Sequence, residues 1–501
     1  MRALVLMATV ASGAASISSL DGQASAHPTP LAAAIDTMAR RIFALNAAPG
    51  LSIVVVRDTQ ILYARGFGWA DIEARHPVTP ETEFYIASAT KSFTGLAVAM
   101  LDLQGKIRLD APIARYLPGI RLRAPLDADS ITVRSLLTHT HGIGDGPVEI
   151  RLAYTGEYTG NAELVRLLAE HVPNPRGREY SYTNIGYNIV GFAMDTVLRE
   201  SWKETLRRLI FAPLGMSRTS AYVSGRSLNR LASGYVTMPE GFARAPYAKA
   251  DATMQSAGGL ITTALDMGRW LEANINLGRI DGRQLLPAAA LAEAHRIQVP
   301  VGGSARGTQN VGYGLGWRLS LLGRDTLLSH NGGFVGFATH MSFLPRHRVG
   351  VAVMANDGQL GGLLVDMMAF AIYDVLRGRP GISDESLAGL GRRLERARSG
   401  ITADRRARSA RPQNLPYPLH AYVGRFFNPG MGHLELQLVD DRLVARMGVA
   451  RSTVEVFDNT RNQLRLELFG SGEVVSVEMR DGRASSITMS GLTYRRRPLD
   501  P

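Results

Sequence analysis

Apolar residues first cluster in two β-branched and aromatic runs, Leu51 to Arg57 and Ile61 to Trp69, separated by polar Asp58-Thr59-Gln60. That pattern predicts a hairpin, and Pro30 to Ala47 before it reads as a helix. A second helix is expected from near Ser88, where Phe93, Leu96, Ala97, Met100 and Leu101 recur at helical spacing until Gly105. Helices and loops then dominate to about residue 295. Strand-like runs return at Thr326 to Ser329, Phe337 to Phe343 and Val349 to Met354, and a helix through Leu363 to Leu376 follows. Its Asp366 and Asp374 mark it as an amphipathic or core helix of a soluble domain rather than a membrane span. Strands at both ends around a helical middle predict an α+β unit whose terminal strands share one sheet.

Beyond it the pattern changes twice. Residues 377 to 412 read as a linker holding one helix, with Ser383, Asp384 and Glu385 at its start, arginines in its last turns and Gly400 at its end. From Tyr422 to Arg497 the period falls to two, as in His433-Leu434-Glu435-Leu436-Gln437-Leu438, with turns at Asp440-Asp441, Gly470-Ser471-Gly472 and Asp481-Gly482. This predicts a small antiparallel barrel.

The 501 residues contain no cysteine, which removes disulfides, thiolate metal sites and a cysteine nucleophile. The net charge of +12 raises the question of nucleic acid, but ten arginines against four acids between Arg377 and Arg411 supply half of it. Without aromatic interleaving or a nucleic-acid motif, that segment reads as a solvated surface, leaving room for contact with an anionic cell envelope. Arg2, the apolar Ala3 to Ala15 and Ala24-Ser25-Ala26 form a secretory signal, residues 1–26, so a periplasmic or secreted protein is expected. His139 and His141 lack the spacing of a helical zinc pair, and a structural turn is expected there, with no metal and no cofactor.

Candidate chemistry begins at Ser88-Ala89-Thr90-Lys91. Serine and lysine three apart at a helix start share one face, where a desolvated amine can take the hydroxyl proton. Downstream, Tyr182-Thr183-Asn184 offers a phenol and an amide that can point the same way, and His330-Asn331-Gly332-Gly333 places a histidine beside glycines that let a substrate backbone approach.

In this order the three motifs resemble those of the serine β-lactamase and penicillin-binding-protein superfamily, in its class C-like branch. The likeness extends to Leu136-Leu137-Thr138-His139-Thr140, Pro213-Leu214-Gly215-Met216, Ala257-Gly258-Gly259-Leu260 and Tyr313-Gly314-Leu315-Gly316-Trp317, over roughly residues 30 to 378. The resemblance implies an antiparallel sheet flanked by helices with a helical subdomain in residues 27–378, a linker at 379–412 and an appended lipocalin-like barrel at 413–501. It further implies that Ser88 forms an acyl-enzyme, with Lys91 and Tyr182 as catalytic partners and either of them as the base. Asn184, His330 and Gly332 would bind substrate, and the N–H groups of Ser88 and Gly333 would form the oxyanion hole. His330 stands where many relatives carry lysine, which points to D-aminopeptidases, D,D-peptidases or esterases acting on a small molecule or short peptide. A β-lactamase proper, or a penicillin-binding receptor that does not turn over, is the alternative.

Overall fold

The structure, a computed structural model, describes residues 29–498 except 228, 247, 306, 307 and 471, so the expected leader lies outside the described residues. The two β-rich runs form strands Gly50–Arg57 and Gln60–Asp71, behind helix Pro30–Phe43. The later runs form Asp325–Phe334, Phe337–Leu344 and Val349–Ala355. Gly50–Arg57 pairs antiparallel with Val349–Ala355, so the two ends of the unit meet in one ten-stranded sheet.

Both faces of that sheet are covered. Val54, Val56, Met341, Phe343, Ala352 and Met354 join the larger core, whereas Ile53, Val55, Val351 and Val353 pack with helices Pro30–Phe43 and Gly361–Leu376. Central strands buried on both sides read as unbroken apolar runs, which is why their sequence shows little alternation.

Helix Thr90–Leu103 lies within the larger core, with every residue from Thr90 to Met100 buried. Phe93 stacks on Trp270, ring centroids 3.9 Å apart. Its buried polar groups find partners: Thr94 donates to the Ser256 carbonyl at 2.7 Å, and Ser92 to the Ala89 carbonyl at 2.9 Å. The Tyr313-to-Trp317 motif packs across this helix. A Cβ on Gly316 would stand 2.3 Å from the Lys91 carbonyl oxygen, and its φ of +82° lies in the left-handed region.

The linker helix differs from expectation. It runs from Asp384 to Ser409 and passes through Gly400. A single interior glycine costs only about 1 kcal/mol relative to alanine. That cost is offset where Leu390 and Leu394 bury themselves and where Arg408, near the C-terminus, bridges to Glu455 of the barrel at 3.0 Å.

Eight strands from Gly424–Asn428 to Leu492–Arg497 close into the barrel, filled by Phe426, Leu434, Leu436, Leu464, Ile487 and Tyr494 among others. It docks on the segment around residues 150–157: Val449 N–H donates to the Thr155 carbonyl at 2.8 Å, Arg151 Nε to the Gly430 carbonyl at 2.6 Å, and His433 pairs with Glu157 at 2.6 Å.

Gly316→Ala is expected to cost about 3 kcal/mol, from the left-handed backbone and the clash together. A lower urea midpoint against the parent chain checks it.

Candidate active site

Ser88 lies in a 3-10 turn, Ala87–Ala89, immediately before helix Thr90–Leu103. Strand Phe84–Tyr85 holds the approach to the turn by pairing with Ile261–Thr262, and Ala87 adopts a φ of +44°. That strained entry presents the serine at the N-terminal end of a buried helix, where unpaired amides and the dipole favour negative charge.

Lys91, one turn on, is fully buried. Its ammonium donates to Ser88 Oγ at 3.2 Å, Asn184 Oδ1 at 2.7 Å and the Ala257 carbonyl at 2.8 Å. These three acceptors match its three N–H bonds. Burial pushes the amine down to about 7, with the Glu149 carboxylate opposing. In the neutral amine the two shorter contacts can keep the two remaining N–H bonds, which turns the lone pair toward Ser88. The arrangement therefore suits proton removal from the serine.

Tyr182 and Asn184 come from the loop leading into helix Ile185–Leu198. His139, buried with a φ of +60°, organises that loop: its carbonyl accepts from Ser181 N–H at 2.9 Å and its Nδ1 from Thr183 N–H at 3.3 Å. Its ring lies 4.5 Å from that of Tyr182 and 5.4 Å from that of Tyr187. Burial, then the nearby Lys91 charge, holds His139 well below its ordinary value, and burial takes His141 down to about 3. Both rings are neutral packing elements of a turn. Tyr182 is 39% exposed, lines the cleft and meets the Ser88 hydroxyl with its own. Burial there raises the phenol well above its usual range, with the Ser88 hydroxyl bond opposing, and the ring sits 4.9 Å from Lys91 Nζ.

The third segment is strand Asp325–Phe334. Its pairing with Arg318–Leu322 stops at Ser329, which leaves the edge of residues 330–334 facing the Ser88 turn. A Cβ on Gly332 would lie 2.0 Å from the Ile86 carbonyl, whereas one on Gly333 would meet nothing within 4 Å. Gly332 thus permits the close approach of two backbones, and Gly333 leaves the cleft open. His330 Nδ1 donates to the Asn331 carbonyl at 2.8 Å, and Nε2 meets the Tyr313 hydroxyl at 3.1 Å. A cavity of about 380 Å³ is lined by Ser88, Tyr182, Arg318, His330, Asn331, Gly332 and Gly333, among others.

All six positions expected from sequence therefore meet Ser88 around one cleft. Sequence reasoning did not assign the Ala257 carbonyl, His139, Glu149, whose Oε1 accepts from Asn184 N–H at 3.3 Å, or Arg318. The signals available were the Ala257-Gly258-Gly259 and Thr138-His139-Thr140 motifs; for Glu149 and Arg318 there was none.

A serine at a helix N-terminus, a desolvated lysine beside it and an antiparallel sheet edge across from it define a serine hydrolase site. The chain belongs to the Beta-lactamase family, which it matches over residues 38–371. It is similar to Protein flp of Staphylococcus aureus (strain MRSA252), 24% identical over 333 residues, 64% of this chain; the match spans 62% of that relative's length. The fold is shared with the octameric penicillin-binding protein homologue from Pyrococcus abyssi at a TM-score of 0.57 and 23% identity, covering 92% of this chain and 98% of that one. It is shared too with D-amino acid amidase from Ochrobactrum anthropi SV3 at a TM-score of 0.57 and 24% identity, covering 70% of this chain and 98% of that one.

Since Lys91 must be neutral to accept a proton, kcat/KM is expected to rise with pH through a midpoint near 7. Glu149→Gln removes the charge that raises the lysine, so this acid limb should move to lower pH. A pH–rate profile of both proteins checks the sign.

Proposed function

We propose that this protein hydrolyses amide or ester bonds through an acyl-enzyme on Ser88, acting on D-amino acid amides or peptides and on small esters. The observation that carries the reading is the fully buried Lys91, 3.2 Å from Ser88 Oγ and tied to Asn184 at 2.7 Å. The D-amino acid amidase of the same fold supports the substrate class.

In this reading neutral Lys91 takes the Ser88 proton as Oγ attacks the acyl carbonyl, and the N–H groups of Ser88 and Gly333 receive the oxyanion. Tyr182, protonated at neutral pH because burial raises it, passes its proton to the leaving amine or alkoxide as the C–N or C–O bond breaks, and recovers one from Lys91. Water then attacks the ester by the reverse relay, releasing acid and Ser88. Asn184 holds the lysine and offers its amide N–H to the substrate carbonyl. We propose too that the protein is exported, as Arg2, the apolar stretch from Ala3 to Ala15 and Ala24-Ser25-Ala26 suggest.

Pre-steady-state release of nitrophenol from a short-chain nitrophenyl ester tests the chemistry. A burst followed by steady turnover is expected, and Ser88→Ala should lose the burst and about 10³-fold or more of the rate. Full turnover in Ser88→Ala refutes the proposal; a burst without steady turnover would instead favour a penicillin-binding receptor.

A further inference from the structure

The barrel closes on one short stretch of the catalytic unit, and that stretch begins beside the site. Glu149 lies in helix Pro147–Ile150, and the chain continues without a break into the π turn Arg151–Thr155. Ile150, the next residue, packs against the core of the barrel. Arg151, 4% exposed, donates from Nε to the Gly430 carbonyl at 2.6 Å and from Nη2 to the Pro429 carbonyl at 3.2 Å, while Nη1 holds Glu163 at 2.5 Å. The Thr155 carbonyl accepts from Val449 N–H at 2.8 Å, and a Cβ on Gly448 would stand 2.0 Å from the same oxygen. Glu157 accepts from His433 N–H at 3.0 Å and pairs with its ring at 2.6 Å. A buried arginine bonded to two barrel carbonyls cannot leave them without losing those bonds in a dry setting, so the stretch is fixed to the barrel.

The other end of this stretch faces the lysine beside the nucleophile. Glu149 Oε1 accepts from Asn184 N–H at 3.3 Å, and Asn184 Oδ1 accepts from Lys91 at 2.7 Å. Among the described residues Glu149 supplies the one carboxylate whose charge acts on Lys91. The other titratable groups around the amine are Tyr182 and Tyr187, whose rings lie 4.9 and 5.5 Å from Nζ, and His139, which burial keeps neutral. Glu149 itself faces Asp145 from the chain just before its helix, Tyr154 from the π turn and Tyr182 from the loop that carries Asn184. Burial raises its carboxyl above the ordinary value, with the Asn184 N–H opposing. In surroundings this dry the effect of one carboxylate depends steeply on its distance, so whatever fixes Glu149 in place also fixes how strongly it acts.

We propose that the barrel is a functional part of the catalytic site: by gripping Arg151, Thr155 and Glu157 it positions Glu149 beside Asn184, and thereby sets the electrostatic field at Lys91. Arg151 and Glu157 are positioning residues, acting through Glu149. The assignment rests on the reading of Lys91 as the group that takes the Ser88 proton.

The test weakens the grip from the barrel side and leaves residues 149–157 unchanged. Gly448→Ala drives a methyl group against the Thr155 carbonyl, and His433→Ala removes the ring that pairs with Glu157. Each is measured in the full chain, with and without Glu149→Gln, as the midpoint of the acid limb in the pH profile of kcat/KM. A loss of stability lowers the amount of active protein and leaves this midpoint where it was. With Glu149 displaced, less negative charge reaches Lys91 and its ammonium gives up the proton more readily. The midpoint is therefore expected to fall by about half a pH unit or more in Gly448→Ala, and by a smaller step in His433→Ala. In the Glu149→Gln background neither substitution should move it further, because the carboxylate they act through is gone. An unchanged midpoint in the folded barrel variants, or an equal fall with and without Glu149, overturns the proposal. The pH titration of the Lys91 Cε resonance, in a chain with four lysines, reads the same quantity without turnover. If the nitrophenyl ester shows no Ser88-dependent burst, the hydrolase reading fails, and this titration still decides whether the barrel governs Lys91.

Discussion

The site depends on taking one ammonium group out of water. Lys91 is buried in a helix that is itself inside the core, and its charge survives there only because three oxygens from three separate segments converge on it. The helix turn brings Ser88, the loop before Ile185–Leu198 brings Asn184, and the segment at Gln255–Gly258 brings a carbonyl. Desolvation lowers the amine to about 7, and the same contacts that satisfy its charge align its lone pair once the proton leaves. Structure and reactivity here have one cause, since a hydrated lysine would be protonated and free to turn away.

Other features serve to keep those segments together. Gly316 and Gly332 let a turn and a strand edge press against the backbone on either side of Ser88, at separations no side chain would permit. His139 fills the space under Tyr182 and accepts backbone N–H bonds from the loop that carries it. The barrel joins this arrangement indirectly. It grips residues 151–157, the continuation of the chain from Glu149, whose carboxylate touches Asn184 and opposes the lowering of Lys91. Tyr154 lies between Phe334, next to Gly333, and Phe469 of the barrel, with centroids 6.1 and 4.9 Å away.

Much of this was legible because its signals are local. Ser88 and Lys91 are three residues apart, Tyr182 and Asn184 two, and the sheet strands are β-branched runs bounded by turns. The barrel's alternation is equally local, since a strand with one face inward repeats every two residues. Two expectations show where locality stops. His139 and His141 were legible as a turn, but the rings that His139 packs against come from residues 180–187 and 313, and no spacing encodes that. Gly400 read as a helix end, yet the helix continues, because a local preference of about 1 kcal/mol is outweighed by contacts to distant residues.

The sequence by itself determined the α+β unit, the closed barrel after it, the order of three motifs, and the residue types a serine hydrolase needs. Each follows from periodicity or from short spacing, which backbone geometry converts directly into a shared face or edge. Tertiary structure alone decided that Lys91 is dry, that His330 has both nitrogens occupied, that Glu149 stands beside Asn184, and that Arg318 lines the cleft with Ser88. Burial, charge and hydrogen-bond occupancy are properties of a side chain's whole surroundings, and those surroundings are assembled from segments up to hundreds of residues apart.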